Sequence, residues 1–308
     1  MTSPSNRPMT VVNCGKYKCM EAKARADTLG ADLLYFTERS LNHLRKLPVR
    51  QPQQLWAFRM KEPYNHLVTE SLQMWDGQFN YSVAYDLSSE GNTHMFRSTL
   101  VRLQTPTHID FSKIIQTSKL KTALWFISHC PPDKSTVWSG RIAYALELSK
   151  HISIDVYTNN EICKEQLGSL VRSSEDGEPQ MTDYLFYLSF ESNLCKDYIT
   201  EKFWKVLEKG NVTIPVALGG LSIEEYKHVA PPNSFIHVKN FTSPKELADH
   251  LISVSTSADA INYYHQWRNE FYLVNDKRQN IGGELAHYFS FSSLFESAYP
   301  YRSRIVIM

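Results

Sequence analysis

The order of apolar and polar positions changes character along the chain. From about residue 121 onward, short apolar runs take turns with stretches whose apolar residues recur every three or four positions. The runs 123–127 (ALWFI), 154–157 (IDVY), 184–190 (YLFYLSF), 214–218 (IPVAL) and 235–238 (FIHV) predict strands. Between them, 139–150, 198–209, 224–228 and 244–254 predict helices. Ile142, Ala145, Leu146 and Ser149 would share one face of the first. On the second, Ile199, Phe203, Val206 and Leu207 would do so, with Asp197 as N-cap. Strand and helix alternating over short links argue for a parallel sheet flanked by helices. Such sheets bind ligands beyond the carboxyl ends of their strands. The loops after Ile127, Phe190 and Leu218 are therefore the ones to examine.

The first 115 residues alternate less regularly. Segments 31–36, 55–60 and 79–85 predict strands, with Pro48 and Pro52 punctuating the link between the first two. This reads as a second, smaller α/β domain. The polar stretch 107–119, after Pro106, is the natural boundary. The expected organisation is a first domain over 1–118, a second over 119–288, and a tail over 289–308 that packs back on the first. Segment 173–179 (SSEDGEP) predicts a surface loop, and no internal repeat or low-complexity tract occurs.

Composition narrows the partners. Of 308 residues, 42% are hydrophobic and 21% charged, and 33 basic against 32 acidic side chains leave a formal charge of +1. That balance is globular and gives no general pull toward nucleic acid or acidic membranes, so any anion site must be local. No apolar run reaches membrane-spanning length, and residues 1–10 lack a signal-peptide core. The chain is expected to be soluble as it stands, or to be the luminal part of a protein whose anchor lies elsewhere. Five cysteines (Cys14, Cys19, Cys130, Cys163, Cys195) leave at least one unpaired within the chain. Sequons at Asn80, Asn211 and Asn240 suit a secretory location. Aromatic residues, at 12%, serve packing and also suit stacking on sugar rings.

Candidate chemistry concentrates in 184–220, where a buried strand runs into a polar loop and then a helix. Glu201 and Lys205 read either as an exposed i,i+4 pair or as part of a helix whose amino end, with Lys202, faces a phosphate. Arg141 reads either as a solvated arginine or as a guanidinium forked onto a diphosphate. Ser128 and His129 end a predicted strand, where the parallel-sheet rule puts ligands. Glu62, just past another strand, is plain surface charge or a general base. Walker-type loops, His-Glu-x-x-His helices, paired CxxC motifs and a convincing Asp-x-Asp loop are all absent from the sequence.

At these residues the sequence resembles the α1,3-fucosyltransferases, glycosyltransferase family 10. Segment 186–204 (FYLSFESNLCKDYITEKFW) with 214–220 (IPVALGG) is similar to the family's FYLxFENS…DYxTEKxW…VPVVLGG. Segments 125–130 (WFISHC) and 150–157 (KHISIDVY), with Arg141 and Tyr144 between them, resemble WFVSNC…R…Y…KHIxVDVYG. Segments 76–85, 31–36 and 264–268 (YHQWR), Glu62-Pro63 and the pair Cys14 and Cys19 agree in order, so the likeness runs from about Asn13 to Phe271.

The resemblance implies an α/β fold of GT-B type, two Rossmann-like domains facing across a cleft. It implies GDP-fucose as donor and a glycan of a glycoprotein or glycolipid as acceptor, with no nucleic-acid partner. No cofactor is implied, a divalent metal at most stimulating. It implies the Golgi lumen, with membrane attachment only through an anchor absent from this chain. Carried over by position, Arg141 and Lys202 would hold the diphosphate and Glu201 would bond to sugar hydroxyls. Tyr187 and Tyr198 would line the donor pocket, Ser128 and His129 would sit by the nucleotide, and Glu62 would be the base. Glu191, Ser192 and Asn193 stand where the family has Glu-Asn-Ser and would bind the donor, with an amide and a hydroxyl exchanged. Segment 85–90 (YDLSSE) replaces YRxDSD, losing an arginine and both aspartates. The implied activity is inverting α1,3-fucosyl transfer to a GlcNAc in an N-glycan core or LacNAc-type acceptor. The altered 85–96 segment raises the alternative of a member that binds glycan or nucleotide sugar without turnover.

Overall fold

The structure, a computed structural model, describes residues 10–14, 17–22, 30–44, 46–63, 73–89, 98–118, 120–132, 139–173, 179–220, 222–274 and 303–307. The chain divides into two compact units, Met1–Met95 with Asp276–Met308, and Phe96–Asn275.

In the first unit, strands β1 (Thr10–Cys14) and β2 (Tyr17–Ala22) form an antiparallel pair. They are followed by β3 (Leu33–Thr37), α1 (Glu38–His43), β4 (Leu55–Met60) and β5 (Tyr81–Ala84). A strand from the far end of the chain, β13 (Ser303–Ile307), inserts between β2 and β3 and runs parallel to both. The sheet order is thus β1-β2-β13-β3-β4-β5, with β3, β4 and β5 also parallel. Aromatic rings fill the core beside it. Phe36 lies 5.1 Å from Trp56 and 5.0 Å from Trp75, and Phe79 stacks on Trp75 at 5.4 Å. Buried Gln54 accepts from the Trp56 indole at 2.9 Å and donates to the Ala31 carbonyl at 2.8 Å, so that indole keeps a partner away from water.

The second unit begins with β6 (Thr99–Arg102) and α2 (Phe111–Thr117). An alternating series follows: β7 (Lys121–Phe126), α3 (Arg141–Leu148), β8 (Ile154–Tyr157), α4 (Glu161–Leu167) and β9 (Tyr184–Phe190). Next come α5 (Glu201–Lys209), β10 (Ile214–Leu218), α6 (Ile223–Val229), β11 (Ile236–His237), α7 (Pro244–Thr256), α8 (Ala258–His265) and β12 (Phe271–Val274). Five of the strands make a parallel sheet in the order β11-β10-β9-β7-β8. Every residue of β9 and β10 is buried, as inner strands covered on both faces require, which is why they read as unbroken apolar runs. Trp125, Phe186, Phe190 and Val216 pack in the main core, together with Leu247 and Leu251 of α7. On α5, Phe203, Trp204, Val206 and Leu207 are buried, each contributing about 1.5–3 kcal/mol.

Three expectations change. Residues 98–118 belong to the second unit, not the first. β6 pairs antiparallel with β12, and Asn269 accepts from the backbone of Thr107 and Ile109, each at 2.8 Å. The polarity that reads as a linker is there because this stretch bonds to Asn262 and Asn269. Helix α3 starts at Arg141, after Gly140 in the left-handed region (φ 72°), and buries Arg141, Ala145 and Leu148 while Leu146 is exposed. Helix α5 is capped by Thr200, whose hydroxyl accepts from Lys202 N–H, not by Asp197, which is itself left-handed (φ 58°).

Candidate functional site

The carboxyl ends of β7, β9 and β10 deliver three loops to one place. The loop after β9 carries Glu191–Thr200 into the first turn of α5, the loop after β7 leads to α3, and Gly219-Gly220 ends β10. The loops are tied to one another. Ser139 donates from its backbone N–H to Ser192 O (3.0 Å) and from its hydroxyl to Glu191 O (2.6 Å), and Glu191 N–H donates to Leu218 O (2.8 Å).

Arg141 sits at the first turn of α3, 4% exposed. Its guanidinium donates to the carbonyls of Phe190 (3.0 Å) and His129 (2.6 Å), the residues that end β9 and follow β7. Its Nε is buried without a hydrogen-bond partner. Burial pushes the guanidinium down to about 10, while the charge of Glu191 works the other way. The sequence left Arg141 either solvated or forked onto a ligand; the structure has it spanning two strand ends with hydrogen-bonding capacity to spare.

Glu191 is fully buried. Its carboxylate accepts from Thr200 N–H at 2.7 Å and from the Thr200 hydroxyl at 2.9 Å. Lys202 Nζ lies 3.4 Å from Glu191, 3.5 Å from Glu201 and 3.0 Å from Thr200 Oγ1. Burial works to lower the Lys202 ammonium, but Glu191, then Glu201, hold it above the usual lysine value. Burial raises Glu191, opposed by Lys202 and by the hydrogen bonds from Thr200. Its pattern of partners is that of an acceptor-only carboxylate set between two cations. Lys202 keeps about a fifth of its side chain exposed, and Glu201 40%.

The remaining candidates of the second unit are carried by β9 and by the loops after β7 and β9. Ser128 and His129 are exposed after β7, the hydroxyl 3.1 Å from the imidazole. Ser192 is half-buried and accepts from the amide of buried Asn193 at 3.1 Å. Tyr198 is buried, and its phenol is felt by Arg141. Tyr187 lies within β9 with only 3% exposed, packed with Val206 of α5 and 6.1 Å from the Phe126 ring. Glu62 belongs to the first unit. It is exposed, two residues past the end of β4, and its backbone N–H donates to Glu38 at 3.4 Å.

Several residues that hold the site escaped the sequence reading. Thr200 has a visible signal, a threonine directly before Glu-Lys at a helix start. Ser139, Tyr226 and His237 have none, because their partners are distant in sequence. Tyr226 and His237 lie with rings 5.0 Å apart, and the Tyr226 hydroxyl and His237 Nε2 are buried without hydrogen-bond partners. Cys130, in the loop after β7, is disulfide-bonded to Cys163 on α4. Among the described residues, no three or more His, Cys, Asp or Glu side chains group as a metal site, and no helix is long and apolar enough to cross a membrane.

A family model described as glycosyltransferase family 10 (fucosyltransferase) C-term matches residues 116–288. A Bos taurus 3-galactosyl-N-acetylglucosaminide 4-alpha-L-fucosyltransferase is 29% identical over 87% of this chain and 70% of its own length. A human (Homo sapiens) 4-galactosyl-N-acetylglucosaminide 3-alpha-L-fucosyltransferase is 30% identical over 87% of this chain and 71% of its own. The Drosophila melanogaster glycoprotein 3-alpha-L-fucosyltransferase A reaches 38% identity, over 51% of this chain and 29% of its own length. A crystal structure of an alpha1,3-fucosyltransferase with GDP-fucose aligns with a TM-score of 0.45 at 15% identity, covering 84% of this chain and 77% of that one.

Proposed function

This chain belongs to glycosyltransferase family 10, the fucosyltransferases, and on that premise we propose that it moves L-fucose from GDP-fucose to the 3-hydroxyl of a GlcNAc in a glycan, with inversion at the anomeric carbon. The observation that carries the reading is Lys202 at the amino end of α5, partly open to solvent and held charged by the carboxylates behind it. There the positive end of the helix dipole and the ammonium act together on an anion. The donor diphosphate takes this place, and Arg141 adds its field from below. Negative charge grows on GDP as the glycosidic bond breaks, and cations already in position stabilise it there. Ser128, His129, Ser192 and Glu201 keep exposed atoms for the nucleotide and the sugar. The buried Tyr187 and Tyr198 shape the floor.

Glu62 is the base in this reading. It takes the proton from the acceptor hydroxyl as that oxygen bonds to the anomeric carbon, and the bond to the GDP oxygen breaks with the electron pair passing to the diphosphate. No step asks for a metal. The relatives are named for galactosyl-N-acetylglucosaminide or glycoprotein acceptors, and the acceptor is sought among these. The Cys130–Cys163 disulfide fits an oxidising compartment such as the Golgi lumen.

The test is labelled GDP-fucose with a panel of N-glycan-core and LacNAc acceptors, in buffer containing EDTA. Fucose on the 3-hydroxyl is the expected result. Binding of GDP-fucose with no product on any acceptor, in line with the altered 85–96 segment, would replace it with a binding role. Glu62→Gln is expected to lower kcat by at least about a hundredfold while the Kd for GDP-fucose changes less than about threefold. Equal turnover in Glu62→Gln and the parent would remove Glu62 from the mechanism.

A further inference from the structure

We propose that Glu191 is a positioning residue: sealed from solvent and ligand alike, its carboxylate holds Thr200 at the head of α5 and, through that hydroxyl, aims the Lys202 ammonium at the donor. The inference rests on the reading of the amino end of α5 as the seat of the diphosphate. Its geometry is a short relay. Lys202 Nζ donates to Thr200 Oγ1 at 3.0 Å, and that hydroxyl donates on to Glu191 at 2.9 Å. Thr200 N–H, one of the unpaired amides at a helix start, is also taken by Glu191, at 2.7 Å. One carboxylate that faces no ligand thus takes both the N–H and the hydroxyl of the residue that caps α5, and lies 3.4 Å from the ammonium beside them.

The surroundings close Glu191 off. A side-chain carbon at Gly219 would lie 2.7 Å from Glu191 Cγ and 2.4 Å from the Tyr226 hydroxyl, so the end of β10 is pressed against it. Its own backbone is fixed on both sides, N–H to Leu218 and C=O to the Ser139 hydroxyl. The charged and titratable groups acting with it are Arg141 from α3, Lys202 and Glu201 from α5, Tyr187 from β9 and Tyr226 from α6. Lysine is a mobile point charge on a flexible stem, and a buried partner is what gives it a direction. Without the carboxylate, the desolvation that already presses on Lys202 is no longer outweighed.

Glu191→Gln keeps the shape and one acceptor oxygen but removes the charge. Lys202 is titrated by NMR after reductive ¹³C-methylation, with Lys202→Arg assigning its signal, and GDP affinity and steady-state rates are measured alongside. In Glu191→Gln the Lys202 titration is expected to move down by about one pH unit, GDP to bind roughly tenfold more weakly, and KM for GDP-fucose to rise more than kcat falls. Thr200→Ser, which retains the relay hydroxyl, is expected to stay within about threefold of the parent. An unmoved Lys202 titration together with parental GDP affinity in Glu191→Gln would overturn the proposal. If the parent itself binds neither GDP nor GDP-fucose, the donor-site reading fails on its own, and the Lys202 titration still decides whether Glu191 governs that ammonium. Should Glu191→Gln not fold, Thr200→Val carries the same test: loss of GDP affinity sustains the relay, and parental affinity overturns it.

Discussion

Gly219 shows how tightly the site is set at the scale of single residues. Its missing Cβ is the space in which the Tyr226 hydroxyl and the Glu191 side chain meet. Gly219→Ala is expected to destabilise the chain by about 1–3 kcal/mol, read as a lower denaturant midpoint. The dipeptide was legible only as the end of a strand, since nothing in the string says what it leans on. Two buried histidines predict an acid-sensitive fold. Burial pushes His237 down to about 4 and His265 down to about 3, the latter helped by Arg268. Both folded-state values lie below the unfolded value near 6.5, so unfolding takes up protons as the pH falls, and stability drops from about pH 6.5 toward 3. His237→Asn, which keeps an acceptor for Lys239 N–H, is expected to flatten the part of this decline above pH 4 in chemical-denaturation curves. Arg141 and Lys202 could be picked out from the sequence, because charged residues at strand ends and helix starts are conspicuous. Their partners could not, as Phe190 lies 49 positions from Arg141 and contributes only a carbonyl.

Elements were most legible where one force dominates. β9 and β10 begin and end at the predicted residues because inner parallel strands are almost wholly apolar, and the edge strand β8 does so as well. Helix starts were less legible. At α5 the chain makes a left-handed turn at Asp197 before Thr200 caps the helix, and both residues are plausible caps by type. Strands β6 and β12 went unseen because they form a two-stranded ribbon with alternating or mixed exposure rather than a buried run. The Cys130–Cys163 link, 33 positions apart, joins the end of β7 to α4 and could not be chosen among five cysteines. Closing a loop of that size is worth about 3–4 kcal/mol. Cys163→Ser, or the parent under reducing conditions, is expected to lose that much in urea unfolding. The loss should fall on the loop that carries Ser128 and His129, so GDP-fucose affinity should decline with it.

At the scale of the whole chain, the α/β class and the existence of two units follow from strand and helix order, but the place of their boundary does not. Residues 303–307 form an inner strand of the first sheet, more than 200 positions away from β5, the last of its other strands. The expectation that 289–308 packs back on the first domain gave neither a strand nor its place in the sheet, because no local pattern announces such a pairing. A chain stopped before Ser303 leaves the facing sides of β2 and β3 without their shared neighbour. Hydrogen exchange is expected to show protection lost in β2 and β3 of that truncation and retained in β7, β9 and β10. The same strand sets the calendar of biosynthesis. A ribosome must make all of the second unit after β5 before it reaches the piece that closes the first sheet, an interval on the order of ten to forty seconds at ordinary elongation rates. During that wait a pair of unzipped β-edges stands open to other nascent chains, so yield in cells will depend on chaperones that shield the half-built sheet until the last strand arrives.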